Sequence, residues 1–241
     1  MCDPVLEHGH SADEIAQRLA GKPRVSYLRD WVYGGIDGAV TTFAVAAGVA
    51  GANLSPGIVL ILGGANLLAD GFSMAAANYS GTKSEREEFD RLLEVERKHI
   101  ALVPDGEREE IRQAFAKKGF SGEELERIVA TISSNESGWA LTMMLEEYGL
   151  APVLRSPMVA ALSTFASFAI FGAIPLVPYL FGAGFLWSAI ATGIAFFIIG
   201  SAKSRWSLRA PLMSGLETFL IGGAAAVLAY AAGVLLAEVW K

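Results

Sequence analysis

The chain has 241 residues, 53% of them hydrophobic and 18% charged, with a formal net charge of −6. That balance is too apolar and too sparsely charged for an ordinary soluble domain, so a membrane protein is the first expectation. The single cysteine, Cys2, excludes an intrachain disulfide and with it a disulfide-stapled scaffold.

The opening thirty residues, MCDPVLEHGHSADEIAQRLAGKPRVSYLRD, are polar. They lack the apolar stretch of a secretory signal and read as an uncleaved N-terminal segment. His8 and His10 could take a metal, although a solvated tail is the simpler reading of two histidines there. A helix needs about 20 mostly apolar residues to cross a bilayer. Two such segments follow at 31–53 and 56–79, and three more at 158–180, 184–202 and 211–237. The fold class expected is therefore all-α: a five-span transmembrane bundle with an insertion between spans two and three. The domains fall at 1–30, 31–80, 81–155 and 156–241. Lys and Arg sit before span one, between spans two and three, and between spans four and five, which accounts for 18 of the 19. All three groups share one side of a five-span chain, so the N-terminus and the insertion are expected in the cytoplasm and the C-terminus outside.

Three carboxylates fall inside these spans, Asp37, Asp70 and Glu217, with no Lys or Arg inside to pair with them. An ionisable group at the bilayer centre costs about 2.5–3.5 kcal/mol on insertion scales and normally faces the bundle interior, where it marks an ion or proton path. Protonation, an interfacial position or a backbone hydrogen bond would explain any one of them, but three unpaired carboxylates favour a pathway. Asn66, Asp70 and Met74 are spaced i, i+4, i+8 and share one helical stripe. Amide, carboxylate and thioether together suit a transition metal better than magnesium. Gly34, Gly38, Ala44, Gly48 and Gly51 give span one a small-residue face for close helix packing. Asp37 is thereby expected against another helix, within the chain or in a second copy.

The insertion is a different material. Residues 80–156 hold 16 of the 25 Asp and Glu residues. Three amphipathic helices are predicted, at 82–102, 105–118 and 121–148. Asp105 is expected to cap the second, and a Ser121/Glu124 capping box the third. Glu96 and His99, and Glu107 and Glu110, recur at i, i+3. Met143 and Met144 precede Glu147 by one turn. Carboxylates on such helices more often form a solvated face paired with Lys and Arg. The adjacent methionines shift the balance towards metal ligands. The Glu-x-x-His of Glu96–His99 also matches one half of a di-iron carboxylate site, but such sites need two of these elements.

Taken together, GGIDGAVTTFAVAAGVAGA, GGANLLADGFSMAAANY, KSEREEF, FGAIPLVPYLF and SGLETFLIGG resemble the vacuolar iron transporter family, in order and over nearly everything from Tyr33 onward. The NLLADGFSM form looks closer to bacterial members, which points to a bacterial inner membrane. The resemblance implies a homodimer of five-span chains with a cytosolic three-helix metal-binding domain. It implies a transporter rather than an enzyme: export of ferrous iron, and often manganese, from the cytosol in exchange for protons. Asp37 and Met74 fall on the family's membrane pathway, and Glu96, Glu107, Glu110, Met143, Met144 and Glu147 on its cytosolic ligands. This chain departs from plant and fungal members with Asn66 in place of a glutamate, for which Asp70 can substitute one turn along. It departs again with His99 in place of a domain glutamate, and with Phe168 in place of a pathway tyrosine. The expected pathway is Asp37, Asn66, Asp70, Met74 and Glu217. The expected ligand set is Glu96, His99, Glu107, Glu110, Met143, Met144 and Glu147. No permanently bound cofactor and no nucleic-acid partner are expected; the partners are a divalent metal ion, protons, lipid and a second copy. A passive divalent-cation channel, a membrane-anchored ferroxidase and a non-transporting metal sensor are the competing readings.

Overall fold

The computed structural model describes residues 9–21, 25–152 and 155–239, and all regular structure among them is helical. Cys2, His8, Lys22 and Arg24 lie outside the described residues. A short helix, α1 (Ala12–Ala20), opens the chain behind a full capping box between Ser11 and Glu14. It lies in the segment read from sequence only as a polar tail. Then come α2 (Leu28–Gly51), α3 (Pro56–Leu102), α4 (Pro104–Lys117), α5 (Gly122–Ser133), α6 (Glu136–Glu146), α7 (Pro157–Ala173), α8 (Val177–Leu180), α9 (Phe185–Lys203) and α10 (Pro211–Val239). A single 3-10 turn, Ser204–Trp206, follows α9.

Of these, α2, α3, α9 and α10 are long and apolar enough to cross a membrane, and α7 is a shorter apolar helix of 17 residues. The span predicted at 158–180 is thus broken. Pro175 cannot donate to a continuing helix, the chain turns at 174–176, and its carbonyl accepts instead from the Ser188 hydroxyl of α9 at 2.7 Å.

Helix directions alternate. Asp30 and Thr41 of α2 meet Asn78 and Asn66 of α3, so these two run antiparallel. Asn78 reaches Ala160 and Thr164 of α7, while Gly71 meets Phe168 and Gly63 meets Leu176, so α7 runs against α3. Gly200 of α9 faces Ser214 and Thr218, and Gly222 of α10 faces Phe196, which makes the last pair antiparallel too. The five apolar helices pack around Ala39, Phe43, Ala46, Ala47, Val59 and Phe196.

Polarity in this bundle is turned inside out. Thr42, Thr164, Ser167, Ser188, Thr192, Ser214 and Thr218 are buried, whereas Ile190, Ile194, Leu212, Leu220, Leu228 and Leu235 are exposed. Thr164, Thr192 and Thr218 donate to the carbonyl four residues back, which lets a hydroxyl sit in a dry contact without an unmet donor. An apolar exterior over hydroxyl-lined contacts is the arrangement of helices solvated by lipid.

The small-residue face of α2 does pack closely, and it does so within the chain. A Cβ on Gly38 would lie 2.3 Å from the Phe168 carbonyl oxygen of α7, and one on Gly51 would lie 2.3 Å from the Tyr230 carbonyl oxygen of α10. Because backbone blocks the space, Gly38→Ala is expected to push α2 and α7 apart at about 1–3 kcal/mol. Thermal unfolding in detergent should show a clear loss of apparent melting temperature; an unchanged melt would mean that the contact yields.

Two predicted boundaries move in the insertion. The helix expected at 82–102 is no separate element but the continuation of span two, since α3 runs unbroken for 47 residues. The chain has no proline between Pro56 and Pro104. The rise in polarity after residue 79 marks the surface of the bundle, not a helix end. The helix expected at 121–148 is two helices. Ser134 hydrogen-bonds back to the Thr131 carbonyl, and Asn135 caps α6 by accepting from the Gly138 amide at 3.3 Å, so the Ser-Ser-Asn run competes successfully with the helix. The capping box at Ser121 is absent: Ser121 is the N-cap of α5 by position but makes no side-chain cap. Asp105 is not the cap of α4 either. Val103 holds that position, Pro104 opens the first turn, and Asp105 pairs with Arg108 at 2.7 Å.

Candidate metal pathway and carboxylate cluster of the insertion

Asp37 lies on the half-buried face of α2 that meets α3 and is within Coulombic reach of Asp70. One turn along α2, the Thr41 hydroxyl donates to the Asp37 carbonyl at 2.9 Å and accepts from Asn66 Nδ2 at 3.2 Å. Asn66, Asp70 and Met74 are each half-buried, so the i, i+4, i+8 stripe of α3 is turned inward. Asn66 thus reaches α2 through Thr41, one turn from Asp37. Among the described residues neither Asp37 nor Asp70 forms an ion pair with Lys or Arg.

Glu217 stands apart. It accepts from Arg209 Nη1 at 2.8 Å at the head of α10, with the Arg209 side chain exposed and that of Glu217 half-buried. The expectation that it lacks a cation is corrected: α10 begins at Pro211, and Arg209 in the preceding turn reaches back over two helical turns.

A polar group that the sequence did not single out lies at the other end of the stripe. Asp30, read as the edge of the tail, is inside the first turn of α2 and 2% exposed. Arg155 Nη2 donates to both of its oxygens, at 2.5 and 2.6 Å, and Asn78 Nδ2 to one of them at 2.9 Å. Asn78 also donates to Thr164 at 2.7 Å. A cavity of about 300 Å³ opens here, lined by Asp30, Asn78 and Arg155 together with Met74, Thr82 and Glu85. Asn78 continues the Asn66–Asp70–Met74 spacing by one more turn, a signal that was present in the sequence.

In the insertion, the carboxylates divide into two populations. Glu87, Glu94, Asp105, Glu109, Glu126 and Glu146 pair with Lys83, Arg97, Arg108, Arg112 and Lys118 on the outer surface. Such pairs contribute little each. Glu96, Glu107, Glu110 and Glu147 face one another instead. Glu96 and Glu107 are buried because they occupy apolar stripes. Phe89, Glu96 and Ile100 share a buried face of α3, and Glu107 shares one with Ile111 on α4. These stripes close over a small core of Ile100, Ile111, Leu125, Val129, Trp139 and Met143. Glu96 accepts from the Tyr148 hydroxyl at 2.9 Å, and His99 Nδ1 lies 3.6 Å from Glu107. The second oxygens of both Glu96 and Glu107 are buried with no partner. Met143 and Met144 are also buried, so packing by itself accounts for methionines standing beside carboxylates. Met143 further lines a cavity of about 360 Å³ with Glu110 and Glu147.

The electrostatics separate neighbours on one helix. Gln113 and Arg112 hold the Glu109 carboxyl below its usual range. One residue on, burial and the Glu147 charge push Glu110 up. Burial pushes Glu107 up to about 7, helped by the negative charges of Glu110, Glu96 and Glu147. Burial and the Glu96 charge raise Glu147. Burial and mutual repulsion disfavour the charged form of a carboxylate, and a nearby cation favours it. Among the described residues no three His, Cys, Asp or Glu side chains are already drawn in to coordination geometry. The cluster is a collection of donors that a cation would have to gather.

Residues 28–234 match the VIT family, and the chain belongs to it. It is 35% identical over 208 residues to a protein named vacuolar iron transporter from Centaurea cyanus, covering 84% of this chain and 85% of that one. It is 32% identical over 241 residues to vacuolar iron transporter 1 of Eucalyptus grandis, covering 95% and 97%. It is 33% identical over 208 residues to vacuolar iron transporter 1 of Arabidopsis thaliana, covering 84% and 83%. These relatives are plant proteins, and they lend no support to the bacterial assignment read from the NLLADGFSM form.

Proposed function

We propose that this membrane protein carries ferrous iron, and manganese with it, out of the cytosol in exchange for protons. The observation that carries the proposal is the Asp37–Asp70 pair, two half-buried carboxylates on α2 and α3 within Coulombic reach of each other, with the Thr41–Asn66 hydrogen bond one helical turn from each. The names of the relatives support iron as the cargo. The alternating directions of α2, α3, α7, α9 and α10 support five crossings, with α7 and the turn after it making the third, and thus opposite sides for the two termini. In this reading the insertion and the basic connections lie in the cytosol and a second copy completes the transporter.

Metal is first gathered by Glu96, His99, Glu107, Glu110 and Glu147 with the sulfurs of Met143 and Met144. It then moves down the α3 stripe past Met74 to Asp70 and Asp37. Two carboxylates neutralise a divalent cation; without it, protons take its place, because two adjacent buried charges repel. Moving one charge through 100 mV is worth about 2.3 kcal/mol, so exporting a divalent ion against an inside-negative potential costs about twice that, which two inward protons offset.

The test is flux into proteoliposomes containing the purified chain, with ferrous iron, manganese, cobalt and zinc compared with and without a pH gradient. Iron and manganese uptake that rises when the interior is acid is the expected result. Flux indifferent to the gradient would establish a passive channel instead, and metal-dependent oxygen consumption a ferroxidase.

A further inference from the structure

We propose that Asp30 is a cation-binding station at the mouth of the pathway and that the Arg155 guanidinium is its resident competitor, which an incoming divalent ion displaces. The direction of entry rests on the transport reading above, but the station is defined by its own geometry. A single nitrogen, Nη2, bridges both Asp30 oxygens at 2.5 and 2.6 Å. The strongest Arg–carboxylate pairs use two nitrogens in a fork. Here one nitrogen stands where a cation bound by both oxygens of a carboxylate would stand. The Nε of Arg155 is buried with no partner among the described residues, so within them the guanidinium is only partly satisfied.

The surroundings fit a station and not a structural clasp alone. Asp30 is anchored on α2, but Arg155 lies in the non-helical connection that leads from the insertion to α7. The guanidinium already lies over the Tyr27 ring, whose centroid is 5.9 Å from Cζ, so that ring remains beside it when a metal ion takes the carboxylate. The adjacent cavity of about 300 Å³ brings in Met74 and Glu85, and Met74 also belongs to the Asp70 stripe. A cation on Asp30 therefore has a thioether and a second carboxylate beside it and is one helical turn from the next donor. A buried carboxylate stripped of its partner is strongly disfavoured, so Arg155 leaves Asp30 only when another cation takes its place. Exchange of Arg155 for a divalent ion leaves one positive charge on Asp30, which the Glu85 carboxylate lining the same cavity offsets.

The experiment counts Mn2+ by electron paramagnetic resonance on the purified full chain in detergent, and so needs no transport. At saturating Mn2+, Asp30→Asn should hold one ion fewer per chain than the unaltered protein. Arg155→Gln should fill that same site at about one-tenth of the Mn2+ concentration, because the competitor is gone while the carboxylate stays. Arg155→Lys, which restores a tethered cation, should return the titration towards that of the unaltered protein. An unchanged ion count in Asp30→Asn, or an unchanged titration in Arg155→Gln, overturns the proposal; should either variant not fold, the other decides. If the unaltered protein moved no metal across a membrane, the transport reading would fail, while these ion counts would still stand or fall separately.

Discussion

Asp37→Asn should reduce metal flux to the level of empty vesicles while leaving the protein folded. The amide keeps the size of the side chain, and the Thr41 contact is made through the Asp37 backbone carbonyl, which the substitution does not touch. What is lost is one of two charges, and the expected consequence follows from charge counting. With Asp70 alone, a divalent ion in the bundle keeps a net positive charge in a low-dielectric setting, which is costly. Proton coupling should fail with it, since one of the two exchangeable protons is gone. The measurement is ferrous iron or manganese uptake against a pH gradient, with thermal unfolding as the control for folding. Wild-type flux in this variant would remove the carboxylate pair from the mechanism. Glu217→Gln provides the contrast: it breaks only the ion pair with Arg209 and is expected to transport normally.

The second large effect concerns Glu107 and pH. Its carboxyl is pushed up to about 7 in the folded state against an ordinary value of 4.5. Between those values the folded metal-free protein holds a proton that the unfolded chain does not. The stability this contributes is complete below about pH 4.5 and is lost as pH rises through about 7. Glu110 and Glu147 are raised as well and act in the same direction. Metal reverses the dependence, because a ligand must be deprotonated to bind. The metal-free protein is thus expected to melt higher at pH 6 than at pH 8, and the increase on adding manganese to be larger at pH 8. Glu107→Gln should flatten the first dependence and raise the metal-free melting temperature at pH 8 by a few degrees, the size of effect that about 1 kcal/mol makes in a domain. The same substitution should remove most of the manganese-induced increase. A melting curve for the variant with the pH and metal responses of the unaltered protein would return Glu107 to a packing role.

The apolar helices and their order were legible in the sequence because lipid imposes a length and a composition on each of them. The stripe of Asn66, Asp70 and Met74 was legible for a related reason: helical periodicity alone puts those residues on one face, and a carboxylate within lipid depth turns that face inward. Asp30 was missed because its position relative to the helix start decides its environment. A difference of three residues, 28 against 31, turns a tail carboxylate into a buried one. Arg155 was counted only as a cytoplasmic charge. Its partner is 125 positions away, and no periodicity links a loop residue to a helix so distant in sequence. The boundaries in the insertion failed for local reasons. Polarity changed at residue 80 while the helix continued, and a Ser-Ser-Asn run interrupted a pattern of charge and leucine that was otherwise continuous.

Amino-acid order by itself determined which segments are apolar, that they are helical, and which carboxylates lie within the apolar lengths. These follow from hydrophobicity, backbone hydrogen bonding and residue spacing, all of which act locally. Only the tertiary structure decided which carboxylates keep a partner. Packing set Asp37 against Asp70, gave Glu217 to Arg209 and Asp30 to Arg155, and separated Glu109 from Glu110 on adjacent positions of one helix. Charge interactions fall off with distance and depend on the medium between the groups. A sequence contains neither quantity until the chain has folded.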